Sequence, residues 1–220
     1  MTFERVRSNV DNLPKAIGNG FRPPTAGYGL SYGEFFVQTG HPIDEIIGYR
    51  SIDENGDLVT AAFGPATPDF KLGWTNDFTF RRLNLSMLWD WQKGGWAQNQ
   101  TKSLYDCNIL SEDAGRPSGA ARVAACLETG LANPFVERTT YLRLRELRLA
   151  YALPTALSRW VAGGQDVQVS LTGRNLYLDT KYWGYDPESS NFGQQAITRN
   201  IDLGPYPPSR QFFFSISAGF

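Results

Sequence analysis

The 220-residue chain has a single histidine, two cysteines and two methionines. One histidine, His41, cannot build a histidine-rich metal centre, and no Cys-x-x-Cys pair occurs. Lys and Arg number 21 against 22 Asp and Glu, so the basic excess of a nucleic-acid binder is missing. No apolar run reaches about 18 residues, which excludes a membrane-spanning helix. The GxSxG elbow, the HExxH helix, the P-loop and the dinucleotide fingerprint are all absent. Acidic neighbours such as Asp44 and Glu45 point apart and do not make the facing carboxylates of a glycosidase. No catalytic residue, metal site or cofactor is therefore expected, and no enzyme. The opening MTFERVRSNV shows no basic segment followed by an apolar one, so no secretory signal is visible. That leaves a cytosolic chain or one whose true start lies upstream.

Aromatic residues and turn formers are abundant: 14 Phe, 10 Tyr, 6 Trp, 22 Gly and 13 Pro. This composition suits an all-β protein. A mean hydropathy of −0.35 does not exclude a membrane protein. A transmembrane barrel alternates lipid-facing and lumen-facing residues and averages to a soluble-looking value.

Period-two alternation is the dominant signal. At the C-terminus Phe212, Phe214, Ile216, Ala218 and Phe220 share one strand face. In DVQVSLTGRNLYLDT (166–180), Val167, Val169 and Leu171 face one side, and Gln168, Ser170, Thr172 and Arg174 the other. A sandwich core would not accept that polar face, but a water-filled lumen would. Residues 70–93 read as a hairpin turning at Arg81-Arg82. Leu83, Leu85, Met87, Trp89 and Trp91 lie on one side of its return arm, opposite Asn84, Ser86 and Asp90. Each arm has bilayer-crossing length, and Trp89 and Trp91 suit an interfacial aromatic girdle. In YLRLRELRLAYALP (141–154) the phase slips between Leu144 and Leu147. Either a β-bulge near Glu146 restores one apolar face, or the strand start projects beyond the membrane.

With a periplasmic C-terminus, segments 179–209, 95–139 and 53–68 become external, and 154–165 and the Arg81-Arg82 turn periplasmic. Long external and short periplasmic connections are the asymmetry of outer-membrane barrels. Residues 11–42 break the pattern as a long periplasmic connection. In loop 179–209, Tyr182, Trp183 and Tyr185 either stack on sugar rings or grip a peptide, or only pack the loop onto the rim. Asp186 and Glu188 are too few carboxylates for a calcium site. Cys107 and Cys126 are either unrelated thiols or a disulfide closing the external loop 95–139, which needs an oxidising compartment.

These residues resemble the C-terminal part of SusC/RagA-type TonB-linked outer-membrane transporters. The matching blocks are TGHPIDEIIGYRSIDENGD (39–57), FGPATPDFKLGWTNDFTFRRLNLSMLWDWQKGG (63–95) and FVERTTYLRLRELRLAYALP (135–154). VSLTGRNLYLDTKYWGYDPE (169–188) and IDLGPYPPSRQFFFSISAGF (201–220) follow in the family's order. The RNL, GYDPE and YPPSR elements are the most specific. The resemblance implies a partial transmembrane antiparallel β-barrel: residues 1–220 as about six C-terminal strands of a 22-stranded barrel, with plug and N-terminal regions absent and Met1 not the start of the working protein. Residues 2–14 would be the tail of a strand whose beginning is missing. It implies active import of oligosaccharides or peptides across the outer membrane. The partners implied are a SusD-like surface lipoprotein, the TonB complex acting through the missing regions, the barrel assembly machinery reading Phe220, and outer-membrane lipids, with no nucleic acid. The alternative from a different class is a soluble β-sandwich carbohydrate-binding module, whose polar faces would meet water. The terminal Phe strand and the loop asymmetry weigh against it.

Overall fold

The computed structural model describes residues 1–162, 166–191 and 200–218. The strands up to the first long hairpin are β1 (Thr2–Glu4), β2 (Gly20–Phe21), β3 (Glu34–Phe35), β4 (Val37–Gln38), β5 (Glu45–Ile52) and β6 (Leu58–Pro65). The hairpin itself is β7 (Pro68–Phe80) and β8 (Leu83–Gly94). Then come β9 (Trp96–Asn99), β10 (Val136–Arg138), β11 (Tyr141–Ala152), β12 (Val167–Thr180), β13 (Ile201–Asp202) and β14 (Gln211–Ala218). Three helices interrupt them: α1 (Gln100–Cys107), α2 (Pro117–Ala124) and α3 (Thr155–Ala162).

Six strands form one open antiparallel sheet in the order β1-β7-β8-β11-β12-β14. Its register follows the alternation of the sequence. Leu85 stands between Phe78 and Leu149, Met87 between Asn76 and Leu147, and Trp89 between Trp74 and Leu144. The same face continues through Leu171 opposite Phe214 and Val169 opposite Ile216. Ser86, between Asp77 and Arg148, belongs to the polar face. The apolar face is uncovered: Phe78, Phe80, Phe212, Phe214 and Ile216 are all exposed. The shift in β11 between Leu144 and Glu146 is a bulge in its pairing with both neighbours. It makes Arg145 the extra residue and brings Leu142, Leu144, Leu147, Leu149 and Tyr151 onto one face. Of the two readings of that phase slip, the bulge is the one realised.

One expectation is corrected. Segment 43–52 does not cross with the wall. β5 pairs with β3 and β6 rather than with any wall strand, so residues 5–67 form one connection from β1 to β7. The supposed long connection at 11–42 therefore lies at the same end of the wall as 95–140 and 181–210, which removes the one break in the loop asymmetry. The all-β class holds, with short helices only in the connections: α1 and α2 lie in the 95–140 connection and α3 in the 153–166 connection. Alternation does not register such short helices.

At that end the connections fold together as a cap with its own core. The β3-β5-β6 and β10-β9-β13 sheets contribute Phe35, Ile46, Phe63, Val136 and Ile201, with Trp96 against them. A side chain such as Phe35, wholly removed from water, contributes about 1.5–3 kcal/mol. The wall meets the cap at Gly94 and Gly95, both at positive φ (77° and 79°). A Cβ on Gly95 would sit 2.9 Å from the Ala66 carbonyl oxygen, so the corner needs glycine for conformation and for space.

Candidate functional site

The densest polar constellation lies where the outer ends of β8 and β11 meet the loop after β12. Alternation brings Tyr141 and Arg143 to the polar face of β11, and the bulge adds Arg145 beside them. Asp90 of β8 stands opposite Arg143. From above, the turn Tyr185-Asp186-Pro187-Glu188 lowers two carboxylates onto these cations. Arg143 Nη2 donates to Asp186 Oδ1 at 2.5 Å, with Glu188 Oε2 at 3.4 Å. Arg145 donates to Asp90 through Nε at 3.0 Å and again through Nη2, and to Glu188 Oε1 at 2.7 Å. The Tyr141 hydroxyl donates at 2.7 Å to Glu188 and is 3.1 Å from Asp90. Arg143 and Asp186 are 2% and 3% exposed. Burial works against an ionised Glu188, but the Arg145 hydrogen bond and charge and the Tyr141 hydroxyl outweigh it and hold the carboxyl below its ordinary value. The arrangement is a clasp between a rim loop and the wall. It accounts for Asp186 and Glu188 as arginine partners, a role their sequence spacing alone did not reveal.

The three candidate aromatics separate. Tyr182 is buried, and its hydroxyl donates to Asp202 Oδ2 at 2.8 Å. Burial and then the Asp202 charge push this phenol well above its ordinary range, so it stays a neutral donor. Thr101 of α1 donates to the other Asp202 oxygen at 2.5 Å, tying α1, β13 and the rim loop together. Trp183 and Tyr185 are 43% and 75% exposed. With Tyr105, Thr101, Ser111 and Glu112 they line a cavity of about 320 Å³. The Trp183 and Tyr105 rings lie 6.1 Å apart. Tyr182 thus sits as a loop anchor, while Trp183 and Tyr185 present rings to an open cavity.

Cys107 and Cys126 are joined as a disulfide, with Cα atoms 5.4 Å apart. They link the end of α1 to the helical turn 125–129, beside the Arg122 pairs with Asp106 at 3.0 Å and Asp113 at 2.5 Å. Phe220 lies outside the described residues. Among the described residues no group of histidine, cysteine or carboxylate side chains is arranged to hold a metal, and no helix is long and apolar enough to cross a membrane.

An aromatic row marks the outer end of the apolar face. Phe3 stacks on Phe70 at 5.9 Å and Phe70 meets Trp91 at 4.9 Å. Trp74 stacks on Trp89 at 6.2 Å, and Trp89 meets Tyr177 at 6.4 Å. Such a girdle above an uncovered apolar band is how barrel walls meet a membrane surface.

No protein-family model matches the chain. Among curated proteins it is similar to TonB-dependent receptor P3 of Formosa agariphila, 28% identical over 194 residues, covering 78% of this chain and 19% of that protein. TonB-dependent receptor P26 of the same organism is 27% identical over 194 residues, covering 79% and 20%. The chain thus spans about a fifth of the length of the curated relatives it matches. Among solved structures, the RagAB peptide transporter gives a TM-score of 0.62 at 21% identity, over 92% of this chain and 25% of that one. The RagAB peptide importer in its closed-closed state gives 0.59 at 21% identity, with the same coverage. By sequence, then, the chain is a homologue of TonB-dependent receptors, and its wall has the fold of the matching quarter of the RagAB barrel chain.

Proposed function

We propose that residues 1–220 are the C-terminal part of the barrel of an outer-membrane TonB-dependent active transporter, whose plug and N-terminal regions belong to the rest of the parent protein. The observation that carries this is the wall: a sheet with one uncovered apolar face, an aromatic row at its outer end and packed loops beyond. A sandwich module needs a second sheet against that face, and among the described residues none lies there. In this reading the polar face lines the lumen and the cap forms the outer rim. The cargo is an oligosaccharide or peptide; that the similar solved complexes are named peptide importers supports the peptide half of that class. A SusD-like surface lipoprotein closes over the cap, the TonB complex acts through the plug, and the barrel assembly machinery inserts the wall.

Fractionation of cells expressing the full-length parent tests this reading. The protein is expected in the outer membrane, released only by detergent, and a tagged form should bring down a surface lipoprotein. Recovery in the soluble fraction would overturn the transporter reading in favour of the soluble module.

A further inference from the structure

The cavity between α1 and the rim loop collects three aromatic rings and one carboxylate. Tyr105 comes from α1, Trp183 and Tyr185 from the loop after β12, and Leu110 and Glu112 from the segment that leaves α1. That segment is turned back over the helix by the Leu110 N–H, which donates to the Tyr105 carbonyl at 2.8 Å. Tyr105, Trp183, Tyr185 and Leu110 are all exposed, and the clasp below uses none of them. Rings left open to solvent around a concave space are a binding feature more than a packing one.

The charge on this space is of one sign. No lysine or arginine lines it. Glu112 is exposed and forms no ion pair among the described residues. Behind the cavity stands Asp202, 3% exposed, bonded by the hydroxyls of Tyr182 and Thr101 and by no cationic side chain among the described residues. A Cβ built on Gly184 would lie 2.7 Å from Asp202 Oδ2, so only a glycine separates that carboxylate from the lining. The nearest cation is already met: the Lys102 ammonium, 5.9 Å from the Trp183 ring centre, pairs with Glu137 at 2.8 Å.

The hydrogen-bonding groups of the lining are mostly spent. The Thr101 hydroxyl donates to Asp202 at 2.5 Å and accepts from the Gly204 N–H at 2.6 Å, and the Ser111 hydroxyl donates to Asp106. A sugar needs partners for several hydroxyls around a flat ring, whereas Trp183 and Tyr105 stand at 59° to each other and make a corner. We propose that this corner takes the lysine or arginine side chain of a peptide. The cationic head lies against the ring faces and Glu112, and the aliphatic stem runs along Leu110. That the peptide is cargo rests on the transporter reading above; the preference for a basic side chain does not.

The test uses the full-length parent purified in detergent, as wild type, Glu112→Gln and Tyr185→Ala. Both side chains are exposed, so neither change opens a core. The probes are the pentapeptide Ala-Ala-Lys-Ala-Ala, capped at both ends, the same peptide with norleucine for lysine, and cellotetraose. Norleucine keeps the stem and removes the charge. Titrations followed by saturation-transfer NMR read each affinity. Wild type should bind the lysine peptide about fivefold or more tighter than the norleucine peptide. Glu112→Gln should weaken the lysine peptide about threefold and leave the norleucine peptide unchanged. Tyr185→Ala should weaken both peptides, the lysine one more. Equal affinity of the two peptides for wild type, or a lysine preference that survives both substitutions, overturns the site. Cellotetraose binding that is lost in Tyr185→Ala while the lysine peptide is unaffected overturns it in favour of a sugar platform. Because these affinities belong to the isolated protein, the site can fail while the parent still fractionates with the outer membrane, and can hold where it does not.

Discussion

The register of β8 allows a sharp test of the wall, because adjacent residues face opposite media. A strand rises about 3.3 Å per residue. At a tilt of about 40° that becomes about 2.5 Å along the membrane normal. Leu83 to Trp91 then spans roughly 20 Å, within an apolar band about 25 Å tall, and Met87 falls midway. Met87 lies between Asn76 and Leu147 on the apolar face, and Ser86 between Asp77 and Arg148 on the polar one. Met87→Arg in the full-length parent should cost about 2–4 kcal/mol, the range for a cation at the bilayer midplane. Ser86→Arg should cost well under 1 kcal/mol, since it meets water and one charge of each sign. Reversible urea unfolding in lipid vesicles reads both. A sandwich core would also resent Met87→Arg, so single cysteines at 86 and 87 complete the experiment. Position 86 should react with a small water-soluble thiol reagent and 87 only with a lipid-soluble one. Equal aqueous labelling at the two positions would refute the argument. Position 90 is a poor probe, because Asp90 is engaged by Arg145 and Tyr141.

The clasp should be unequal in its parts. Asp186→Ala leaves a buried Arg143 with only a 3.4 Å contact to Glu188 and should cost about 3–5 kcal/mol, whereas Glu188→Gln leaves Arg145 on Asp90 and should cost about 1–2 kcal/mol. Hydrogen exchange across 181–191 ranks the two, and the reverse order would count against the geometry. The clasp should also loosen in acid. The Glu188 pKa is depressed on folding, so its contribution is complete above the unfolded value of 4.5 and disappears as pH falls through the lower folded value. A nitroxide at position 185 should therefore gain mobility only below about pH 4.5; an unchanged spectrum in acid would remove Glu188 from the clasp. Mass spectrometry of the unreduced parent should show Cys107 and Cys126 peptides linked, and two freely alkylated thiols would refute the linkage. Closing that loop contributes roughly 3 kcal/mol in the chain-entropy model.

The wall was legible because one physical demand, apolar on one side and polar on the other, repeats every second residue. Leu83 to Trp91 and Phe212 to Ala218 carry it without interruption, and the register in the sheet is the one their parity implies. The bulge at Arg145 was legible only as one of two solutions, since a phase slip shows that residues change face and not how. The cap was misread where its strands are short. EIIGYRSI (45–52) has apolar neighbours in sequence but no alternation, the pattern of a strand covered on both faces. Such a run cannot say whether its partner is a wall strand or another loop. The clasp was invisible for a related reason. Arg145 reaches Glu188 across 43 residues, and nothing local to either side chain announces the other.

The cap core also bears on the order in which the protein is made. Ile201, wholly buried against Phe35 and Ile46, arrives after every other member of that core, and β13 joins β9 in parallel, a pairing with no short route through the chain. Contacts of such sequence separation form late, because the closure entropy must be met before they contribute. Until residue 201 is delivered, the earlier segments hold an incomplete core and cannot lock. The cap core is thus expected to close only after the last long connection, 181–210, has formed, late beside the local hairpin β7-β8.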